Sequence, residues 1–398
     1  MSSKEIVLND VIGLWFVWFN LTLSHVSRFQ WLREGDANSK NFHGMLSSRR
    51  RRNAIPFILV NGVLVEGVDD VRHAVYTHFQ SHFQQSFVQR PSMEGLHFRT
   101  LDYTQGASLT RPFSVEEVKV AVWDCENFKC PGPDGVTFGF IKNFRDILKE
   151  DVMCFLLEFH RNGRLTKGIN STFIALILKV DSPQRLNDFR PISLVGSLYK
   201  ILAKVLANRL RSVIGSIISD SQSAFIRGRQ ILDGILVANE IGDETHQCRK
   251  ELILFKVDFE KAYDSIDWSY LDEVMLKMGF PTLRRKWIKE CIGTATTSVL
   301  VNGSPTNEFS LRRGLRQGDP LSPFLFLLAT KGFHVLMKSL SANNHFTGYR
   351  VGSGDATVIS HLQFADDTLI LGGNLRLIFE RCVLSFIWSF VGIESEFF

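Results

Sequence analysis

The five residues Phe364-Ala365-Asp366-Asp367-Thr368 constrain this chain more than any other stretch. Val358 to Phe364 reads as a short apolar-rich strand, and Leu369-Ile370-Leu371 as a second, closed by Gly372-Gly373. Two such runs joined by a tight connection predict a β-hairpin with two acids at its tip. Adjacent carboxylates repel, and a cation held between them and a ligand relieves the repulsion. Taken alone, the pair fits an ordinary Asp-rich turn equally well, because Asp favours turns. The rest of the chain decides between the two.

A length of 398 residues is enough for two or three domains with a sizeable core. The net charge of +5 hints only weakly at polyanions, so local clustering matters more. Cys125, Cys130, Cys154, Cys248, Cys291 and Cys382 form no CxxC pair, which predicts reduced thiols and no zinc site. The apolar run Val11 to Phe19 is too short to span a bilayer and lacks a basic flank or cleavage site. The expectation is an intracellular protein of cytoplasm or nucleus, with no membrane partner.

Residues 1–28 fit no element and are left unassigned. In 29–55, Trp31, Phe42 and His43 alternate with basic groups and are followed by Arg49, Arg50, Arg51 and Arg52. That mixture suits a nucleic-acid backbone with base stacking, and suits a solvated basic run equally. Val68 to Phe87 has helical apolar spacing. Its His73, His78 and His82 have no Cys or carboxylate at ligand spacing, so they predict a packing helix rather than a metal site. Ser114 with Glu117 forms a capping-box pattern for a helix to about Trp123, followed by a rigid turn at Cys130-Pro131-Gly132-Pro133-Asp134-Gly135. Phe173 to Val180 is β-like and carries Lys179. Leu198 to Leu210 predicts a helix with Lys200, Lys204, Arg209 and Arg211 away from its apolar stripe. Residues 220–233 mix Arg227 and Arg229 with turn formers. Leu252 to Phe255 is nearly continuously apolar, as a strand buried on both faces would be, and delivers Asp258 at its end. Asp267 caps a helix that Gly279 and Pro281 stop. Val299 to Gly303 is a strand and turn. Gly314 to Pro320 is a Gly-flanked loop, after which Ser322 as N-cap and Pro323 start a helix to about Met337.

Nucleotide transfer would use these parts. An in-line displacement at phosphorus needs two divalent metals, and magnesium prefers hard carboxylate oxygens. Asp258 and Asp366-Asp367 would supply them if the fold brings them together. Lys179 and Arg190 are candidate cations for a triphosphate, Tyr263 for an aromatic wall against the sugar, and Gln317-Gly318 for close backbone approach to a base pair. Each has a plain structural alternative: a strand-end cap, a core ring, a surface charge, a tight turn.

The series CPGPDG (130–135), LILK (176–179), RPISL (190–194), QSAFIRGRQ (222–230), FKVDFEKAYD (255–264), GLRQGDPLSPFLF (314–326) and FADDT (364–368) resembles the reverse transcriptases of non-LTR (LINE-type) retrotransposons, with the flavour of plant genomes. The upstream WLREGDANSKNFH and RRRRN resemble the segment joining endonuclease to polymerase in such elements. Leu178 stands where the family usually has Pro, and Cys130 where Ala is usual.

The resemblance implies an α+β, right-hand polymerase fold of fingers and palm, with an antiparallel palm sheet and packed helices. Residues 29–108 would be a basic, helical linker and 109–373 fingers and palm. After Gly373 the family's Gly-Leu-x-x-Asn segment, primer grip and helical thumb are not recognised. Residues 374–398 are therefore expected to be a divergent tail in place of the thumb, in a frame truncated at both ends. Asp258, Asp366 and Asp367 would be the catalytic, metal-binding acids. They would hold two magnesium ions, for which manganese could substitute. Tyr263 would be a steric gate against ribonucleotides. Gln317, Gly318, Arg190 and Lys179 would contact the nucleotide, and Arg49, Arg50, Arg51, Arg52, Arg227 and Arg229 nucleic acid. Asp134 would be structural. The implied function is RNA-directed DNA polymerase, with RNA template, DNA primer and deoxynucleotides as partners. A catalytically inactive nucleic-acid-binding remnant is the alternative, and a nuclease on the same acids fits less well.

Overall fold

The computed structural model describes residues 44, 47–48, 51, 53–85, 93–257, 259, 261–352 and 357–372. It divides into Met1–Pro56 and Phe57–Phe398. In the first unit, exposed Arg51 donates Nε–H to the Ser47 carbonyl at 3.4 Å. Arg49, Arg50, Arg52 and Asp258 lie outside the described residues, as do 1–43 and 373–398.

The second unit opens with strands β1 (Phe57–Val60) and β2 (Val63–Glu66), an antiparallel hairpin, and helix α1 (Val68–His82). Helices α2 (Tyr103–Thr110), α3 (Val115–Trp123), α4 (Phe138–Asn143) and α5 (Arg145–Asn162) follow. Strands β3 (Ser171–Leu178) and β4 (Phe189–Val195) form a second antiparallel hairpin, and helices α6 (Ser197–Ile217) and α7 (Ile231–Cys248) come next. Then run β5 (Ile253–Val257), α8 (Trp268–Lys277), α9 (Thr282–Gly293), β6 (Thr296–Val301), β7 (Ser304–Pro305) and β8 (Phe309–Ser310). The last described elements are α10 (Ser322–Ala342), β9 (Tyr349–Val351), β10 (Thr357–Ile359), β11 (His361–Phe364) and β12 (Asp367–Gly372). The content is mixed α and β. One sheet runs β4-β3-β6-β7 with β8 also on β6, and its β3–β6 pair is parallel. The other is the antiparallel β11-β12-β5.

The main core is helical. Buried Leu202, Leu206, Val274, Leu327 and Leu328 belong to one cluster drawn from α6, α8 and α10. Apolar residues at intervals of three and four place such side chains on one helix face. α10 is long and apolar enough to cross a membrane by length and composition, yet most of it is buried inside the protein.

Several expectations need correction. Segment 57–83 is more than a helical linker. The dipeptide Asn61-Gly62, with φ of 51° and 81°, turns a hairpin that then packs with α1. α1 stops at His82, and its C-terminal backbone is met by Arg312 N–H to Phe83 O at 3.0 Å and Arg313 Nε to His82 O at 2.8 Å. α6 and α10 are each longer than their local patterns predict. Arg209 is buried, because Glu117 takes its guanidinium in a two-point pair of 2.7 and 2.8 Å. That leaves only half of the expected capping box, Ser114 Oγ accepting from Glu117 N–H at 3.2 Å. β5 is not buried on both faces. Ile253, Leu254 and Phe255 are exposed, and among the described residues β5 pairs only with β12 at the sheet edge.

Below the last hairpin, His334 Nδ1 lies 3.1 Å from His361 Nε2, and Ser221 Oγ lies 3.2 Å from each. Burial, then the positive charge of Lys331, lowers His361 from 6.5 to about 4. As pH falls below 6.5, the unfolded chain accepts a proton that the folded chain refuses. The contribution to stability is therefore full above 6.5 and shrinks toward pH 4. His361 alone should remove about 2 kcal/mol between pH 6.5 and 5. Urea midpoints at pH 7.5 and 5 should differ less in His361→Asn than in the parent; an equal difference in both would refute the assignment.

Candidate active site

The hairpin β11–β12 carries the acids. Phe364 pairs with Asp367, so the two-residue tip is Ala365-Asp366 and Asp367 opens the returning strand. This corrects the expectation of two acids at the tip. It follows from φ of +55° at Ala365, the mirror-hand conformation that short hairpins require at this point. The strand expected over 358–364 is also two pieces, with β10 pairing β9 and β11 pairing β12. Asp366 and Asp367 are half-buried, and Asp367 Oδ1 lies 3.7 Å from Lys256 Nζ. Next to Asp367, Thr368 pairs with Val257, the last residue of β5.

Tyr263 stands on the turn before α8 and stacks on Phe326 of α10, with centroids 4.5 Å apart and planes at 12°. Burial, then the negative charge of Asp366, raises its phenol above the ordinary value, so it stays protonated. The neighbouring Asp264 is buried. Its Oδ1 accepts from Gln317 Nε2 at 3.3 Å, and its Oδ2 lies 3.7 Å from His82 Nε2. α1 therefore does bring one of its histidines to a carboxylate, from a residue far away in the chain. Burial, then Lys261 and His82, lowers His78 to about 4.

The loop 314–320 is pinned from several sides. Gly314 N–H donates to Ile266 O and Leu315 N–H to Tyr263 O, both at 2.7 Å. Trp268 Nε1 donates to Gly314 O at 2.8 Å. Gln317 O accepts from Ser193 N–H of β4 at 2.7 Å, and Gly318 leans on Ile192 and Ser193. Beneath it, Arg316 Nη2 donates to Asp319 Oδ2 at 2.8 Å and Nη1 to Asn170 Oδ1 at 2.7 Å and Thr172 Oγ1 at 3.0 Å. Tyr199 Oη also donates to Asp319 Oδ2, at 2.7 Å. Asp319 Oδ1 accepts from Leu321 N–H at 2.9 Å. Ser322, expected as the N-cap, is itself the first helical residue, and Leu321 occupies the N-cap position without a side-chain cap.

Of the candidate cations, Arg190 is exposed on β4, the strand that supports Gln317. Lys179, just beyond β3, gives its ammonium to the Asn187 carbonyl at 2.9 Å. Arg227 is exposed, whereas Arg229 uses Nη1 on Gln222 O at 2.7 Å and Nη2 on Asp220 Oδ1 at 3.1 Å. Asp134 caps α6 through Ser197 N–H, and a Cβ on Gly132 would collide with the Val195 backbone. Among the described residues no three His, Cys, Asp or Glu gather at metal distance. The carboxylate oxygens of Asp366 and Asp367 are the hard donors that magnesium takes.

Residues 177–384 match the family described as reverse transcriptase (RNA-dependent DNA polymerase). The chain belongs to this family. Among relatives, the transposon TX1 uncharacterized 149 kDa protein of Xenopus laevis is 27% identical over 352 residues, covering 88% of this chain and 26% of that protein. A Pol polyprotein of the type-1 retrotransposable element R2 from Popillia japonica is 28% identical over 269 residues, 66% of this chain and 35% of that protein. An uncharacterized mitochondrial protein of Arabidopsis thaliana is 45% identical over 69 residues, 17% of this chain and 56% of that protein. The chain spans about a quarter to a third of the length of the first two. The expected kinship with non-LTR retrotransposon reverse transcriptases is borne out.

Gln222 and Asp264 lie within recognised motifs and His82 on the expected packing helix, but the sequence gives none of their partnerships, which join segments distant in the chain. Two glycines, Gly314 of the loop 314–320 and Gly303 of the turn between β6 and β7, give a clean steric test. Gly303 and Gly314 have φ of 87° and 84°, but a Cβ on Gly303 meets nothing and one on Gly314 collides with the Asp264 backbone. Gly303→Ala should cost about 1–2 kcal/mol, and Gly314→Ala at least about 2 kcal/mol more. Equal urea midpoints for the two variants would contradict this packing.

Proposed function

We propose that this chain's reverse transcriptase domain extends a DNA primer on an RNA template by metal-assisted nucleotidyl transfer. The observation that carries the reading is the meeting of the motif segments: Thr368 paired with Val257, Leu315 N–H bonded to Tyr263 O, Asp264 bonded to Gln317, and Gln317 seated on β4. In this reading β11-β12-β5 with α8 and α10 is the palm, and the β3–β4 hairpin belongs to the fingers. The fingers and palm lie within residues 109–373, after a linker segment at 29–108 and before a tail at 374–398.

Asp258, Asp366 and Asp367 would hold two divalent ions, magnesium or manganese in its place, which neutralise charge developing on phosphate oxygens. The other steps belong to the chain's own side chains. Asp366 and Asp367 hold the fixed negative charge at the primer end. The Tyr263 ring, immobilised on Phe326, forms a wall where a 2′-hydroxyl would clash. Gly318, with φ of 99° and no side chain, lets a base pair come close to the backbone. Arg190 offers a planar cation suited to phosphate oxygens. Exposed Arg227 is a candidate for template phosphates, and Arg51 for the upstream strand.

Primer extension on a homopolymer RNA template with magnesium tests the proposal. Product should form with the parent chain and drop at least about a thousandfold in Asp366→Ala. No incorporation by the parent over several templates would sink it. Tyr263→Ala should keep deoxynucleotide incorporation and admit ribonucleotides about tenfold or more better. Unchanged sugar selectivity would remove Tyr263 from the gate.

A further inference from the structure

The turn that carries Asp366 is held by a side chain far upstream. Gln222 is buried at 1% exposure. Its Oε1 accepts from Ala365 N–H at 3.0 Å and from Ala224 N–H at 3.0 Å. Its Nε2 donates to the Ala365 carbonyl at 3.2 Å. One amide thus fixes both peptide groups flanking the residue with left-handed φ. In an ordinary two-residue turn, water would serve these groups.

The surrounding chain is arranged to support that amide. Gln222 forms a parallel bridge with Gln363 of β11. On either side of it, Gln363 N–H donates to Ser221 O at 2.7 Å and Ser223 N–H to Gln363 O at 3.0 Å. Arg229 folds back over the segment, donating to the carbonyls of Ser219 and Gln222, and pairs with Asp220 at 3.1 Å. Residues 219–229 therefore form a strap along the outer edge of β11.

We propose that Gln222 is a positioning residue for the reaction, setting the direction of the Asp366 carboxylate through the Ala365–Asp366 peptide. This rests on the polymerase reading of the site. The Ala365 carbonyl belongs to the peptide plane from which the Asp366 Cα hangs. A rotation of that plane by about 20° would swing the carboxylate by roughly 1 Å, a displacement that matters for in-line chemistry. The left-handed φ at Ala365 is unfavourable for an L-residue, so releasing the amide removes what holds the turn against relaxation.

The test uses the full chain as parent, Gln222→Leu and Gln222→Glu. Leu removes both halves of the clamp; Glu keeps an acceptor for the two N–H groups and loses the donor. Three readouts are made: steady-state primer extension, Mn²⁺ affinity by electron paramagnetic resonance, and hydrogen exchange of peptides covering 361–368 and 296–301. Gln222→Leu should lower kcat about tenfold or more while the deoxynucleotide KM moves by less than about twofold. It should weaken Mn²⁺ binding severalfold and speed exchange in 361–368 but not in 296–301, with Gln222→Glu intermediate. A purely structural role would lower thermal stability without altering kcat per folded molecule or Mn²⁺ affinity. Parental kcat and Mn²⁺ affinity in folded Gln222→Leu, or unchanged exchange over 361–368, would overturn the proposal. A parent chain that fails to extend primers overturns the polymerase reading instead, and exchange over 361–368 still judges the clamp.

Discussion

The buried pair between Arg316 and Asp319 is the interaction on which the arrangement of the site depends. Both residues are nearly inaccessible, and a charge in such a place is tolerable only when its hydrogen-bonding capacity is filled. Arg316 reaches Asn170 and Thr172, while Asp319 receives Tyr199 and holds the Leu321 N–H just before α10. Its guanidinium also lies 4.2 Å over the Tyr199 ring. One ion pair thereby joins the start of β3, α6 and the head of the largely buried helix α10. Burial raises the Tyr199 hydroxyl well above its ordinary value, so it remains a donor to Asp319. Removing one member of such a network strands the others, with a penalty on the order of 3–5 kcal/mol.

That anchor gives the intervening Gln317-Gly318 little freedom. With Arg316 and Asp319 turned inward, the two residues between them are presented outward onto β4. The same loop receives the turn bearing Tyr263 through two backbone hydrogen bonds, and α10 supplies Phe326 beneath that ring. Gly314 allows the close approach because it has no side chain to meet the Asp264 backbone. The acidic turn has its own support in Gln222. The site is thus assembled from two independently fixed parts, one built on a buried charge and one on a buried amide.

Much of this was legible in the sequence, and the gaps have physical causes. The acids, Tyr263 and Gln317-Gly318 stood out because their motifs are local. The caps at Ser114 and Asp267 were readable for the same reason, and the structure has both accepting N–H groups of the following turn. Periodicity misled where a tertiary partner overrode it. Arg209 looked solvent-facing until Glu117, in another helix, claimed it. The apolar run before Asp258 suggested a central strand, but apolar composition does not distinguish an interior strand from one at an edge. Gln222 lies in the motif at 222–230, but a glutamine among turn formers carries no sign of its role, because its partner Ala365 is far away in the chain. Phe57 to Val65 is different: its Asn61-Gly62 pair between apolar runs is a local hairpin signal that the sequence does carry.

Among the described residues β5 pairs with β12 alone, and this placement links the chemistry to colloidal behaviour. A strand at the side of a sheet can recruit a strand from a second molecule, and charged side chains are the usual guard against it. Ile253, Leu254, Phe255 and Val257 are apolar, so Lys256 is the sole charge in the strand. That ammonium faces Asp367, one of the proposed metal-holding acids. A cation taken up by Asp367 would compete for the partner of Lys256 and free its charge at the vulnerable edge. Solubility of the purified chain would then rise with divalent-ion occupancy, making the tendency to self-associate a reporter of the state of the site.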